Sequence, residues 1–398
     1  MNSRLSSLSK IKEIVRVLKL LFEENPLTGS AAVFLWGARK TGKTTLLKQQ
    51  FKNGLWFNLL NTDTRIELSS KPSTLREIVL GERPRFVIID EVQKVPALLD
   101  EVHWLLENTS TKFVLCGSSA RKLKRGAANL LGGRALKYEL FPLTSKEVGI
   151  DKFDLNKILS YGSIPSHYLS KNPWPQLKSY TSDYLQEEII EESKLRNIAP
   201  FSKFLNVAAL TNGDLLNYAN AGSECGVSGK TIREYYQILI DSLLGYQLDP
   251  WKERKDRRLI ETAKFYLIDI GIVNYLQGKV VPIAGTPAYG RAFEHFIINE
   301  VKYYASYSSK DFPLSYWRTS TGFEVDLILG NMEIAIEIKS TKEISSKHFR
   351  SLRALKEESS PKRSILVSIV ERSRRTEDGI EVLNYRKFLS ELWSGKII

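Results

Sequence analysis

The eight residues Gly37-Ala38-Arg39-Lys40-Thr41-Gly42-Lys43-Thr44 constrain this chain more than any other feature, because they fit G-x-x-x-x-G-K-[ST]. The apolar run 32–36 precedes them and a helical pattern over 44–51 follows. Such a loop works only where a strand hands over to a helix. Its glycines let backbone N–H groups wrap a phosphate at the helix N-terminus, where the peptide dipoles favour negative charge. Lys43 is then placed to reach the β- and γ-phosphates, and the Thr44 hydroxyl to ligate Mg2+. Gly37, Arg39, Gly42, Lys43, Thr44 and Thr45 are the expected nucleotide contacts.

Further strand-like runs lie at 55–59, 86–89 and 113–116, with helical patterns between them. That alternation predicts an α/β fold, a parallel sheet covered on both faces. The second run ends in Asp90-Glu91. In P-loop NTPases an Asp at this strand end helps hold Mg2+, so Asp90 takes that role and Glu91 is placed to polarise the attacking water. The third run leads into Gly117-Ser118-Ser119, where a small polar residue either contacts the γ-phosphate and the attacking water or merely makes a turn. Arg134, after Gly132-Gly133, is either a surface arginine or one that meets transition-state charge, in cis or from a neighbouring subunit.

With 58 Lys and Arg against 45 Asp and Glu, the net charge of +13 makes a polyanion such as DNA a plausible partner. The excess is clustered at 121–137, 251–264 and 342–375. Only Cys116 and Cys225 are present, which excludes a disulfide framework or a four-Cys zinc site and suits a reducing compartment. No apolar run approaches the ~20 residues of a membrane span. The opening segment 11–22 places Ile11, Ile14, Val15, Leu18, Leu21 and Phe22 on one helical face, so an amphipathic helix is expected there. Its charges interrupt any leader-like core, and a cytoplasmic protein is expected.

The middle of the chain, about 145–245, reads as mostly helical. Helical patterns at 201–210 and 214–220, a turn at 222–226, and a helix capped by Ser228 and running through 231–239 form a helix-turn-helix pattern. Lys230 and Arg233 fall where a DNA-reading helix presents side chains. The same pattern also suits a winged-helix-shaped packing module that never touches DNA, since Ile232, Tyr235, Tyr236 and Leu239 serve a core.

The last hundred residues carry a second chemistry. Strands at 323–329 and 333–340 alternate, placing Glu324 and Asp326 on one face of the first, and Glu337 and Lys339 on one face of the second. A tight turn at Gly330-Asn331 would pair 329 with 332, and so set Asp326 opposite Ala335 and Glu324 opposite Glu337. Acids beside a lysine on an otherwise apolar hairpin suit Mg2+ with an activated water.

The order of these elements resembles the AAA+-type ATPases of archaea and bacteria whose core is fused to the DUF4143 region. The likeness rests on the phosphate loop, Asp90-Glu91, Gly117-Ser118-Ser119, Gly132-Gly133-Arg134, Tyr161-Gly162-Ser163-Ile164-Pro165 and Leu267-Ile268-Asp269-Ile270-Gly271. It spans about 30–345, with Ala38 and Lys40-Thr41 standing where Pro and Gln-Val are more usual. The resemblance implies ATP binding, with Ser118 or Ser119 as a sensor and Arg134 as a finger. Asp326, Glu337 and Lys339, with Glu294 in the preceding helix (290–307), resemble the PD-(D/E)xK nuclease set. On that likeness Asp326 and Glu337 bind metal, Lys339 positions or activates water and Glu294 assists. The alternative is a nuclease shape that no longer cuts.

The expected organisation is an AAA+-type ATPase domain over 1–145, a helical and winged-helix-like region over 146–284, and a PD-(D/E)xK nuclease-like domain over 285–398. The expected cofactors are ATP and Mg2+, and the expected partners are DNA and further copies of the chain. Three functions remain open on these residues: an ATP-driven nuclease, a nucleotide switch acting on DNA or protein, and a regulatory module that binds protein alone.

Overall fold

A computed structural model describes residues 14–118, 131, 134–184, 198–251, 262–308, 310 and 312–398. Ser119 and most of the basic clusters at 121–137 and 251–264 fall outside those residues. The N-terminal half is built on five parallel strands: β1 (Ala31–Trp36), β2 (Leu55–Asn58), β3 (Phe86–Asp90), β4 (Lys112–Gly117) and β5 (Ala135–Glu139). Their order is β2-β3-β4-β1-β5, with β1 between β4 and β5. Alternation decides which side chains face which layer. Phe34, Trp36, Val87, Ile89, Phe113 and Leu115 enter one core, while Val33, Leu35, Ile88, Val114 and Cys116 enter the other. Both faces are covered, as the runs of apolar residues require.

The expected opening helix is not formed over its described part, 14–22. The segment is an extended strap whose even positions Arg16, Leu18 and Leu20 are buried, while Val15 is 75% and Leu21 63% exposed. Leu18 and Leu20 pack with Val33, Leu35, Leu46, Leu47 and Phe51. Side chains elsewhere satisfy its backbone: Leu18 O accepts from Gln50 Nε2 at 2.8 Å, and Val17 N donates to Glu147 Oε1 at 2.8 Å. Tertiary partners thus override a helical periodicity.

The middle region is helical, with helices Ala199–Leu210, Tyr218–Cys225 and Gly229–Asp241. The second begins later than the expected 214–220 and continues to Cys225, because Asn217 caps it and the left-handed Gly226 ends it. Ser228 caps the third as expected, accepting from Thr231 N at 3.1 Å. Two strands from this region, β6 (Gly245–Pro250) and β7 (Lys264–Leu267), join the C-terminal sheet. The expected divide at 284 is therefore bridged by hydrogen bonds between β6 and β8 (Leu314–Arg318).

The remaining strands are β9 (Glu324–Leu329), β10 (Ile334–Lys339), β11 (Arg363–Ser368), β12 (Arg374–Arg375) and β13 (Glu381–Asn384). The mixed sheet runs β12-β13-β11-β10-β9-β8-β6-β7. The long helix Pro287–Tyr307 covers one face, where Phe293, Phe296 and Ile297 meet Leu327, Ile336, Ile338 and Ile365. Leu352 and Leu355 cover the other, against Ile328, Ala335 and Leu366. The hairpin register differs from the expected one: Leu329 pairs with Ile334 and Leu327 with Ile336. The turn takes four residues, with left-handed backbone at Gly330 and Met332, and Met332 is buried in the core. Continued by one step, this register sets Asp326, not Glu324, abreast of Glu337.

Candidate functional site

The phosphate loop leaves the buried β1 and enters helix Lys43–Gln50, one residue earlier than the expected 44–51. Its glycines have separate jobs. Gly42 has φ 96°, a left-handed backbone that favours glycine, and a Cβ on Gly37 would lie 2.6 Å from Leu140 O. The buried Lys43 ammonium donates to Gly37 O at 2.7 Å and Ala38 O at 3.3 Å, so it sits in the concavity of the loop. Arg39 and Lys40 are exposed on the loop.

Parallel pairing of β3 beside β4 carries Asp90 to the same sheet edge. Thr44 Oγ1 donates to Asp90 Oδ2 at 3.0 Å, which joins the two expected Mg2+ ligands across 46 residues of sequence. Two oxygens of this kind at the mouth of a phosphate loop fit a hard cation that keeps several waters. The buried Cys116 thiol donates to the other Asp90 oxygen at 2.8 Å, and burial followed by the Asp90 charge raises its pKa well above the usual value. Asp90 is thereby oriented from both sides.

Glu91 has φ 61°, so the chain turns sharply after β3. Gln93 Nε2 donates to Glu91 Oε2 at 2.5 Å and to Ser118 Oγ at 3.3 Å. Ser118 Oγ also lies 3.5 Å from Glu91 Oε2. A hydroxyl, an amide and a carboxylate therefore converge beside the loop. Sequence reasoning did not single out Gln93; its only signal was its place two residues beyond Asp90-Glu91. A Cβ on Gly117 would meet Gln93 Oε1 at 2.2 Å, so the glycine makes room for the amide.

Two motifs with no role of their own in the sequence prove to be one clamp. The buried Asp269 Oδ2 accepts from Ser163 N at 2.7 Å and Ile164 N at 3.1 Å, and Oδ1 accepts from Gly271 N at 2.9 Å. Burial pushes this carboxyl up to about 6 against the pull of those N–H groups. The clamp holds Pro165 near the loop, where a Cβ on Gly42 would lie 4.0 Å from Pro165 Cγ.

Arg134 stands elsewhere. It precedes β5, whose Ala135 pairs with Ala32 at the start of β1, so it lies at the sheet edge opposite the phosphate loop. At about 3.3 Å per residue the length of β1 separates it from the loop by some ~17 Å. Its Nη2 is 3.1 Å from Glu107 Oε1 and its Nη1 contacts His103. Placed there, its side chain does not reach the phosphate loop of its own chain.

At the C-terminal sheet, Asp326 and Glu337 are 6% and 4% exposed. Asp326 Oδ2 accepts from Ile338 N at 2.7 Å, and Lys339 Nζ meets Glu337 Oε1 at 2.6 Å, while Glu337 Oε2 is buried without a partner. Glu294 accepts from Tyr266 Oη at 3.0 Å and lies 3.9 Å from Lys264, which pairs with Glu324 at 2.5 Å. Burial, then the Asp326 charge, raises the pKa of both Glu337 and Glu294. Burial alone would lower Lys339, but Asp326 and Glu337 raise it. The expected acids and lysine do converge, yet among the described residues no three His, Cys, Asp or Glu side chains are arranged to hold a metal ion. Lys230 and Arg233 are exposed, Arg233 lying over the Tyr218 ring at 5.0 Å. Of the basic residues at 342–375, Arg353, Lys362 and Arg363 are spent on ion pairs with Asp378, Glu333 and Glu381. Among the described residues no helix is long and apolar enough to cross a membrane.

The fold and the phosphate loop suit nucleotide binding by the N-terminal half, and residues 29–149 match the family model described as an AAA domain. Residues 289–388 match the domain of unknown function DUF4143, and residues 152–281 match the domain of unknown function DUF8612. The chain therefore carries an AAA domain followed by a DUF4143 domain. It is similar to an uncharacterised protein of Mycobacterium tuberculosis, 26% identical over 78% of this chain and 70% of that one. It is also similar to one of Methanocaldococcus jannaschii, 23% identical over 81% and 78%. A solved structure, the replication initiator DnaA bound to AMPPCP and single-stranded DNA, overlaps 54% of this chain and 83% of its own at 10% identity, with a TM-score of 0.29.

Proposed function

We propose that this chain hydrolyses ATP with Mg2+ and that its nucleotide state controls a DNA-acting C-terminal half. The observation that carries the first part is the Thr44–Asp90 contact at the mouth of the loop, with Glu91 and Ser118 alongside. In this reading Gly37, Arg39, Gly42, Lys43, Thr44 and Thr45 hold the phosphates, and Thr44 with Asp90 holds Mg2+, which supplies charge neutralisation on the β- and γ-oxygens. Glu91 accepts a proton from the attacking water, and Gln93 and Ser118 hold that carboxylate and its water in place. Arg134, 45% exposed on its side chain, serves the nucleotide of a neighbouring copy, which makes the active form an oligomer. Lys43→Ala abolishes binding or turnover, and Glu91→Gln keeps binding but loses hydrolysis. Ordinary ATPase activity in both variants would overturn this assignment.

For the C-terminal half, the convergence of Asp326, Glu337, Lys339 and Glu294 supports a metal-dependent endonuclease, with DNA also held by Lys230 and Arg233. A specific observation favours a second reading. The 2.6 Å Lys339–Glu337 pair closes the cluster on itself, which suits a nucleotide-dependent switch that keeps the nuclease shape without cutting. Cleavage of plasmid and linear DNA with Mg2+ or Mn2+, with and without ATP, separates the two. Cleavage that disappears in both Asp326→Ala and Lys339→Ala supports the nuclease; salt-sensitive binding without cleavage supports the switch.

A further inference from the structure

Arg16 belongs to none of the motifs that point to the nucleotide site, yet its buried guanidinium joins three parts of the molecule. Its Nη1 donates to Thr41 O, within the phosphate loop, at 2.5 Å. Its Nε donates to Glu147 Oε1 at 2.8 Å, and its Nη2 donates to Phe141 O at 2.6 Å and to Tyr307 Oη at 3.4 Å. Tyr307 ends the long helix Pro287–Tyr307, and its hydroxyl also accepts from Phe141 N at 3.0 Å. A buried cation is costly unless every donor finds an acceptor, and an apolar residue would fill the space at less cost. The planar fork of an arginine suits this place because it holds acceptors lying in different directions at once.

The helix that Arg16 touches leads to the acid cluster. Glu294 lies thirteen residues before Tyr307 on it, about 20 Å away at the helical rise of 1.5 Å per residue. Between them the helix is held to its surroundings: Tyr303 stacks on Phe141 at 4.5 Å, and Glu300 accepts from Ser145 and Trp393. In the loop, Lys43 is bonded to Gly37 O and Ala38 O, and the Thr41 hydroxyl to Ala38 O at 2.7 Å. A bound phosphate would compete for Lys43 and for the loop N–H groups, beside the Thr41 carbonyl that Arg16 holds.

We propose that Arg16 is a positioning residue that links the phosphate loop to the long helix, so that loading of the loop is transmitted through Tyr307 toward Glu294. This rests on reading the loop as the nucleotide site and gives the control of the C-terminal half a physical route. The test uses the full chain, an ATP analogue that is not hydrolysed, Mg2+, and amide hydrogen exchange over 287–307. Tyr307→Phe removes only the hydroxyl. Arg16→Lys keeps the charge but cannot hold Thr41, Phe141 and Glu147 together.

In the wild type the analogue slows exchange over 287–307 roughly fivefold or more. Tyr307→Phe holds the analogue within about threefold of the wild-type Kd while its exchange response falls below about twofold, and Arg16→Lys loses the response as well. Wild-type response ratios in both variants overturn the proposal. So does protection lost equally with and without nucleotide, which marks a merely structural tie. A wild type that binds no analogue overturns the nucleotide reading itself; binding without any response over 287–307 overturns this coupling alone.

Discussion

Replacing Glu300 by Gln tests whether burial or hydrogen bonding governs the junction between the two halves. Glu300 is 2% exposed; Oε1 accepts from Ser145 N, and Oε2 from Ser145 Oγ and Trp393 Nε1, each at 2.7 Å. Burial pushes its carboxyl up to about 7 from 4.5, even though the three donors pull the other way. The folded chain then binds more protons than the unfolded chain between those two values, so stability falls as pH rises through that window. Between pH 5 and pH 8 this one group removes roughly 2 kcal/mol of stability. Glu300→Gln has no charge to bury, but its amide N–H groups face donors and it carries a pH-independent cost. Comparing urea midpoints of both proteins at pH 5 and pH 8 cancels that cost. The variant gains about 2 kcal/mol relative to the wild type on going to pH 8. No relative gain, or a relative loss at pH 8, would show that the carboxylate is ionised throughout and that its donors prevail.

Gly162→Ala should destabilise the chain by about 2–4 kcal/mol, read as a fall in thermal midpoint, because overpacking and a disfavoured backbone combine. Its new Cβ would lie 1.9 Å from Asp269 Oδ1, on a backbone at φ 76°. Gln93→Ala is expected to leave the Kd for an ATP analogue within about threefold while turnover falls at least ~10-fold, since only the orientation of Glu91 and Ser118 is lost. An unchanged kcat would contradict that role. Replacing both Lys230 and Arg233 by Ala should flatten the dependence of log K on log salt for duplex DNA by about 2, near 0.9 per phosphate contact. An unchanged slope would remove the third helix of the middle region from any DNA interface.

The phosphate loop, Asp90-Glu91 and the parallel sheet were legible in the sequence because each is local. A loop conformation is set by glycines within eight residues, and a strand buried on both faces writes itself as a continuous apolar run. The C-terminal acids and lysine were legible for a similar reason, since alternation along a strand places Glu337 and Lys339 on one face. Their register was not. It depended on whether Met332 joined the turn or the strand, and burial of its side chain in the core decided for a four-residue turn. The strap 14–22 carried a helical period in its apolar residues, yet the sheet face it covers selected every second one. Gln93, Cys116 and Arg16 gained roles only through partners brought up by folding, as did the bond between Asp269 and the turn at Gly162. Those partners lie two to about three hundred residues away. The chemistry of a contiguous motif is thus written in the order of its residues. Which distant side chain orients it, and which helix feels it, is settled only when packing brings separate segments within hydrogen-bond reach.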